Sequence, residues 1–134
     1  MTLPQSIREF LEEPNFAVLA TLNADGTPQQ TILWYYVEGD TLVMNTAAGR
    51  VKDRNLRRDP RISVCVVNGA QAVTIRGVAE LDDDQSVAQA DIRRMAVRYN
   101  GPSVAEEQSA GQFMREHRIS IRLKMQHVVP QGFD

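Results

Sequence analysis

The chain has 134 residues, 43% hydrophobic and 24% charged, with a formal net charge of −2. That length fits a single domain, residues 1–134, with its own core but small enough for association to add stability. The charge balance argues against a broad phosphate-tracking surface, so nucleic acid is not an expected partner, and no segment has the apolar length of a membrane span.

The start of the chain, Met1 to Phe10, lacks a basic region followed by an apolar one, so no signal peptide is expected. Ser6 and Glu9 read as a capping box, with Ile7, Phe10 and Leu11 as the apolar side of a short helix that Pro14 stops. Asn15 to Leu22 is an apolar run of strand length, followed by the turn Asn23 to Pro28. A second strand, Gln29 to Val37, alternates imperfectly: Gln30, Ile32, Trp34 and Tyr36 fall on one face, and Thr31, Leu33, Tyr35 and Val37 on the other. Glu38 to Asp40 turns the chain into Thr41–Thr46, completing an antiparallel meander.

After a basic stretch, Arg61–Val67 reads as a fourth strand. Its Cys65, the single cysteine, reads as a small buried side chain, consistent with a reducing cytoplasm. Asn68 to Ala70 forms a tight turn into a fifth strand, Gln71 to Leu81, with Val73, Ile75 and Gly77 inside. Asp82–Asp84 caps a helix running to Tyr99, whose Ala88, Ile92, Met95, Ala96 and Tyr99 follow helical spacing. A second helical segment, Ser103 to Glu116, has Val104, Phe113 and Met114 as anchors, and Arg118–Met125 is a sixth strand. The periodicity predicts a mainly β protein, a six-stranded antiparallel barrel with peripheral helices. Val18, Leu33, Val43, Val64 and Ile121 are its expected core. His117 and His127 have no metal-ligand spacing, so no metal site is expected, and no nucleophile stands beside a base to mark catalytic residues. If the chain is an enzyme, an organic cofactor carries the chemistry.

The basic stretch runs from Thr46 to Arg61. It holds Arg50, Lys52, Arg54, Arg57, Arg58 and Arg61, out of 15 Lys plus Arg in the chain. Gly49 releases the preceding strand, Arg50 to Arg58 reads as a helix, and Pro60 ends it. On that helix Arg50, Arg54, Arg57 and Arg58 share a face, and Thr46 lies near the helix start, where orphan N–H groups favour an anion. The alternative is a solvated basic face.

Three stretches in this order, Phe16 to Pro28, Trp34 to Leu42 and Thr46 to Pro60 with its G-R-x-K-x-x-N-L-x-x-D-P pattern, resemble the split β-barrel superfamily of flavin and deazaflavin proteins. This is the pyridoxamine 5'-phosphate oxidase-like superfamily, and the wording is most similar to its deazaflavin (coenzyme F420)-dependent reductases. Val128 to Asp134 does not look like the C-terminal substrate-binding segment of the vitamin oxidases. The resemblance implies a homodimer with a cofactor in each groove between subunits. It implies that Thr46, Arg50 and Lys52 hold the cofactor phosphate, with Arg54, Asn55 and Arg57 as tail contacts and Gln30, Ile32 and Trp34 against the ring. Strand-five residues of the second subunit, around Ala72 to Arg76, would complete the pocket. The implied reaction is hydride transfer from reduced F420 to an unsaturated small-molecule acceptor. FMN is the alternative cofactor, and a non-catalytic carrier the alternative role.

Overall fold

The computed structural model describes residues 3–133. Met1, Thr2 and Asp134, the ends of the expected domain, lie outside the described residues.

Two antiparallel sheets pack face to face as a split barrel with helices at its periphery. In chain order the elements begin with α1 (Gln5–Glu12), β1 (Phe16–Leu22), β2 (Pro28–Leu33), β3 (Tyr36–Glu38) and β4 (Thr41–Ala47). Then come α2 (Val51–Arg58), β5 (Arg61–Asn68), β6 (Gln71–Val78), β7 (Glu80–Asp82), α3 (Gln85–Asn100) and α4 (Pro102–Gln108). A π-helical turn (Ser109–Phe113), β8 (Arg118–Lys124) and β9 (His127–Gln131) complete the described chain. One sheet has the order β2-β1-β5-β6-β9 and the other β3-β4-β8-β7.

The strand count departs from the expected six because two extended runs each serve both sheets. The run Gln29 to Val37 leaves the first sheet after Leu33 and enters the second at Tyr36. Tyr35 and Tyr36 are both buried, so the period of two breaks at this crossing, where the sequence alternates imperfectly. The run Gln71 to Leu81 crosses at Ala79, whose N–H donates to the carbonyl of Pro60 at 2.8 Å. The further strand, β9, lies at a sheet edge paired with β6, where Pro130 is tolerated.

Leu19, Val64, Val66, Val73 and Ile75 from the first sheet meet Leu42, Met44, Ile121 and Leu123 from the second, and Phe10, Leu11 and Leu56 close the ends. Leu33, Val43, Val64 and Ile121 are buried as expected, although Val43 belongs to a second cluster. Val18 is only half-buried, because alternation points Ala17 and Leu19 inward and Val18 outward. Cys65, paired with Val18, shares that outer face and is likewise half-buried, not buried.

The second cluster forms where α3 and the following helical segment cover the outer face of β3 and β4. Tyr36, Val43, Ile92, Met95, Ala96, Ala105 and Phe113 pack there against Trp34. Asp84 caps α3 by accepting from the Ser86 N–H at 2.9 Å. The Ser6–Glu9 box does not form: α1 starts at Gln5 after Pro4, which puts Ser6 inside the helix, and Glu9 accepts from the Gln5 amide at 3.0 Å instead. Of the three anchors expected after Ser103, only Phe113 is buried; Val104 and Met114 face solvent. The π-helical turn inserts a residue into the helical period, so spacing counted through it points to the wrong side.

Candidate functional site

A cavity of about 280 Å³ opens where the β2–β3 crossing, β4, the start of α2, α3 and the π-helical turn converge. One wall is apolar, with Ile32, Leu33, Trp34, Ile92, Met95 and Phe113. Asn45 and Arg118 line it deep in the fold, Arg50 and Lys52 at the α2 start, and Gln108 and Gln112 along the helical segment.

Trp34 is held flat by a stack. Its ring lies 5.3 Å from that of Tyr99 at 9°, and Tyr99 in turn stacks on Phe16 at 5.6 Å. The Tyr99 hydroxyl donates to the Asn15 carbonyl at 2.5 Å, fixing the middle ring. Such aromatic pairs contribute roughly 0.5–1.5 kcal/mol beyond area burial, so Trp34 presents a stiff, planar wall.

The charged end is built on β4 and β8. Register pairs Ala47 with Arg118 and Asn45 with Ser120, which brings Arg118 beside the turn leading into α2. The Arg118 Nε donates to Asn45 Oδ1 at 2.9 Å, and Asn45 Nδ2 donates to the Ala88 carbonyl at 2.9 Å and to Ser120 Oγ at 3.3 Å. Ser120 Oγ donates to Asp91 Oδ2 at 2.5 Å, and the same carboxylate accepts from the Tyr36 hydroxyl at 2.8 Å and Arg122 Nη2 at 2.9 Å. A continuous buried polar chain therefore runs from Asp91 to the cavity. Burial, then the bond to Asp91, pushes the Tyr36 phenol up to about 12. Burial first, then the charges of Arg50 and Arg118, holds the Lys52 ammonium below the ordinary lysine range. Burial likewise lowers Arg118, opposed by Glu116.

The residues singled out in the sequence divide between the cavity and its surroundings. Ile32, Trp34, Arg50 and Lys52 line it. Thr46 does not line it: alternation along β4 turns its side chain to the strand face opposite Asn45, where its buried hydroxyl has no hydrogen-bond partner among the described residues. Gln30 is exposed on the outer face of the five-stranded sheet, opposite Ala20. Arg54 donates to the Gly49 carbonyl. Arg57 pairs with Asp53 at 3.1 Å and Asp83 at 2.6 Å. Asn55 is buried, donating to Thr21 at 3.1 Å and Asn23 at 3.0 Å and accepting from Arg58 at 2.7 Å. The basic helix thus spends most of its arginines on the protein itself. Asn45 and Arg118 line the cavity without having been singled out, and Phe113 reads from the sequence only as a packing anchor, because only the β4–β8 register and the π-helical turn bring them there. A polar Asn45 among the apolar residues of a strand was the one signal available.

This fold and this cation-ended, aromatic-walled cavity define a class: the chain belongs to the pyridoxamine 5'-phosphate oxidase family, which residues 3–128 match. Among solved structures it is similar to the conserved hypothetical protein Rv2991 of Mycobacterium tuberculosis, at 27% identity and a TM-score of 0.81, covering 98% of this chain and 86% of that one. It is also similar to an F420 reductase at 26% identity and a TM-score of 0.77, covering 95% and 98%. The heme storage protein HutZ of Vibrio cholerae shares the fold at 22% identity and a TM-score of 0.74, over 99% and 97%. The family's split barrel takes flavin-type cofactors and includes oxidoreductases. Among the described residues no helix is long and apolar enough to cross a membrane.

Proposed function

We propose that the chain is a deazaflavin (coenzyme F420)-dependent reductase that passes a hydride to an unsaturated small-molecule acceptor, working as a homodimer of single-domain subunits. The observation that carries this reading is the excess positive charge at one end of a cavity with a flat aromatic wall. Arg50, Lys52 and Arg118 converge there against a single carboxylate, Glu116. That donor set fits an anionic group, and the stacked Trp34 fits a planar ring beside it. The similarity to an F420 reductase across nearly all of both chains supports the same choice.

When bound, such a cofactor supplies a hydride and handles single electrons and oxygen poorly, which suits reduction. The protein's own part is to bind and orient. Lys52 and Arg50 hold the phosphate, and Ile32 and Trp34 form the wall for the ring, with Gln30 at its outer edge. Arg54, Asn55 and Arg57 stand behind them, stiffening the α2 turn through the bonds described above.

The dimer is supported by the outer face of the five-stranded sheet. Phe16, Ile32 and Val129 are 52%, 71% and 63% exposed there, and register sets them around Val18, Cys65, Val67 and Thr74. A contiguous apolar face of this kind marks an interaction surface. Ile32 also lines the cavity, so a second copy on this sheet would close the open wall and exclude water from it.

The test is a side-by-side titration with the deazaflavin coenzyme and with FMN, following the fluorescence of Trp34, the single tryptophan. Preference for the deazaflavin is expected. Preference for FMN refutes the cofactor choice, and binding of neither refutes the reductase. Lys52→Ala and Arg50→Ala should each weaken binding about tenfold or more while leaving the fold intact.

A further inference from the structure

The three cations of the cavity differ in how they are satisfied. Arg118 spends Nε on Asn45 and Nη1 on Glu116 Oε1 at 2.8 Å, and its Nη2 has no hydrogen-bond partner among the described residues. Arg50 reaches the other oxygen of the same carboxylate, Oε2, at 3.5 Å. Lys52 has no carboxylate partner among the described residues, and its neighbours in charge are Arg50 and Arg118. One carboxylate thus stands between two guanidiniums beside a site that holds three positive charges.

The two guanidiniums are mounted differently. Arg118 is 4% exposed, locked by Asn45 and lying over the Phe113 ring at 5.2 Å, so it cannot swing away. Arg50 is half-exposed and makes no hydrogen bond of its own among the described residues. Glu116 lies just beyond the π-helical turn, in the connection to β8, and is itself partly exposed. A carboxylate on a short connection beside a fixed cation can be exchanged for another oxyanion without disturbing the sheet.

We propose that Arg118 is an anion-binding residue of this cavity and that Glu116 is its built-in competitor, a carboxylate that bridges Arg118 and Arg50 until a ligand oxyanion replaces it. The inference rests on the anion-binding part of the functional reading and adds a device to it. Glu116 keeps the buried guanidinium paired in the absence of ligand, since an unpaired buried charge is strongly destabilising. It also sets the affinity of the site, because an entering oxyanion must displace it before gaining both arginines and Lys52. The ligand chemistry selected is a phosphate or carboxylate group with at least two free oxygens, matching the forked donors.

The experiment is calorimetric titration of the purified protein with inorganic phosphate at low ionic strength, on the wild type, Glu116→Gln and Arg118→Lys. Glutamine keeps the shape of the competitor and removes its charge, so Glu116→Gln should bind phosphate about five- to tenfold more tightly than wild type. Lysine keeps the charge of Arg118 and loses the fork, so Arg118→Lys should bind at least about fivefold more weakly. A purely structural Glu116 would lower or leave unchanged the phosphate affinity on substitution, and either result overturns the competitor role. Unchanged affinity in Arg118→Lys overturns its place in the site, and absence of phosphate binding in all three proteins overturns the anion site as a whole. Phosphate binding with these rankings, but no binding of the deazaflavin or FMN, leaves the proposal standing and refutes the cofactor reading alone.

Discussion

Asp91 is the anchor of the polar chain beneath the cavity, and Asp91→Asn tests whether that chain is under tension or merely present. Asp91 is buried and accepts from the Tyr36 hydroxyl, Ser120 Oγ and Arg122 Nη2. An asparagine can keep the Tyr36 bond through its oxygen, and Ser120 can turn its hydroxyl round to accept. The bond it cannot replace is that from Arg122, whose Nη1 already lacks a partner. A hydrogen bond to a charged group contributes roughly 1.5–3 kcal/mol, and leaving the partner unsatisfied adds its own penalty of roughly 1–3 kcal/mol. Because the Arg122 side chain is 27% exposed, water recovers part of that, and the expected loss is about 3 kcal/mol. Urea unfolding at fixed protomer concentration should show a lower midpoint with an unchanged slope. A double-mutant cycle with Arg122→Met should give a coupling of at least about 1 kcal/mol. A loss under about 1 kcal/mol, or no coupling, would refute the reasoning. The Tyr36 phenol should also titrate lower in the variant, because one of the causes that raise it is removed.

Other outcomes follow from the same geometry. Phosphate affinity should fall as pH rises through the lowered Lys52 value; a calorimetric profile flat from about pH 7 to 10 would show that Lys52 does not contribute. The sign for stability is opposite. The folded Lys52 value lies below the unfolded one, so the ligand-free fold binds fewer protons between them and gains stability as pH rises through that window. Gly77→Ala should cost about 1–3 kcal/mol in thermal unfolding, because a Cβ there would meet Leu123 Cδ1 at 2.9 Å. Ile32→Asp should shift a dimer to monomers in light scattering; an unchanged mass would remove the five-stranded sheet's outer face as the interface.

The elements readable from the sequence were those whose signals are local. The β1 run, the Asp84 cap, the α3 spacing and the basic helix after Gly49 all rest on neighbours within a few residues. The crossings were visible only as a flaw in alternation at Tyr35 and Tyr36, since a switch of sheets is a tertiary event. The α2 arginines illustrate the same limit at the site. Spacing puts Arg54 and Arg57 on a face with Arg50, but Asp83 and the Gly49 carbonyl claim them first, and both claims depend on the folded chain. Arg118 lies 66 positions beyond Lys52 in sequence, and only strand register makes them neighbours.

The two crossings have a mechanical consequence. Each of the runs Gln29 to Val37 and Gln71 to Leu81 is hydrogen-bonded into one sheet at its start and the other at its end, so neither sheet can open without dragging the other. Leu33 and Trp34 stand at the first of these hinges and line the cavity. A ligand gripping that wall therefore clamps both halves of the barrel at once, and its binding energy would appear as slower hydrogen exchange across the whole β scaffold rather than around the site alone.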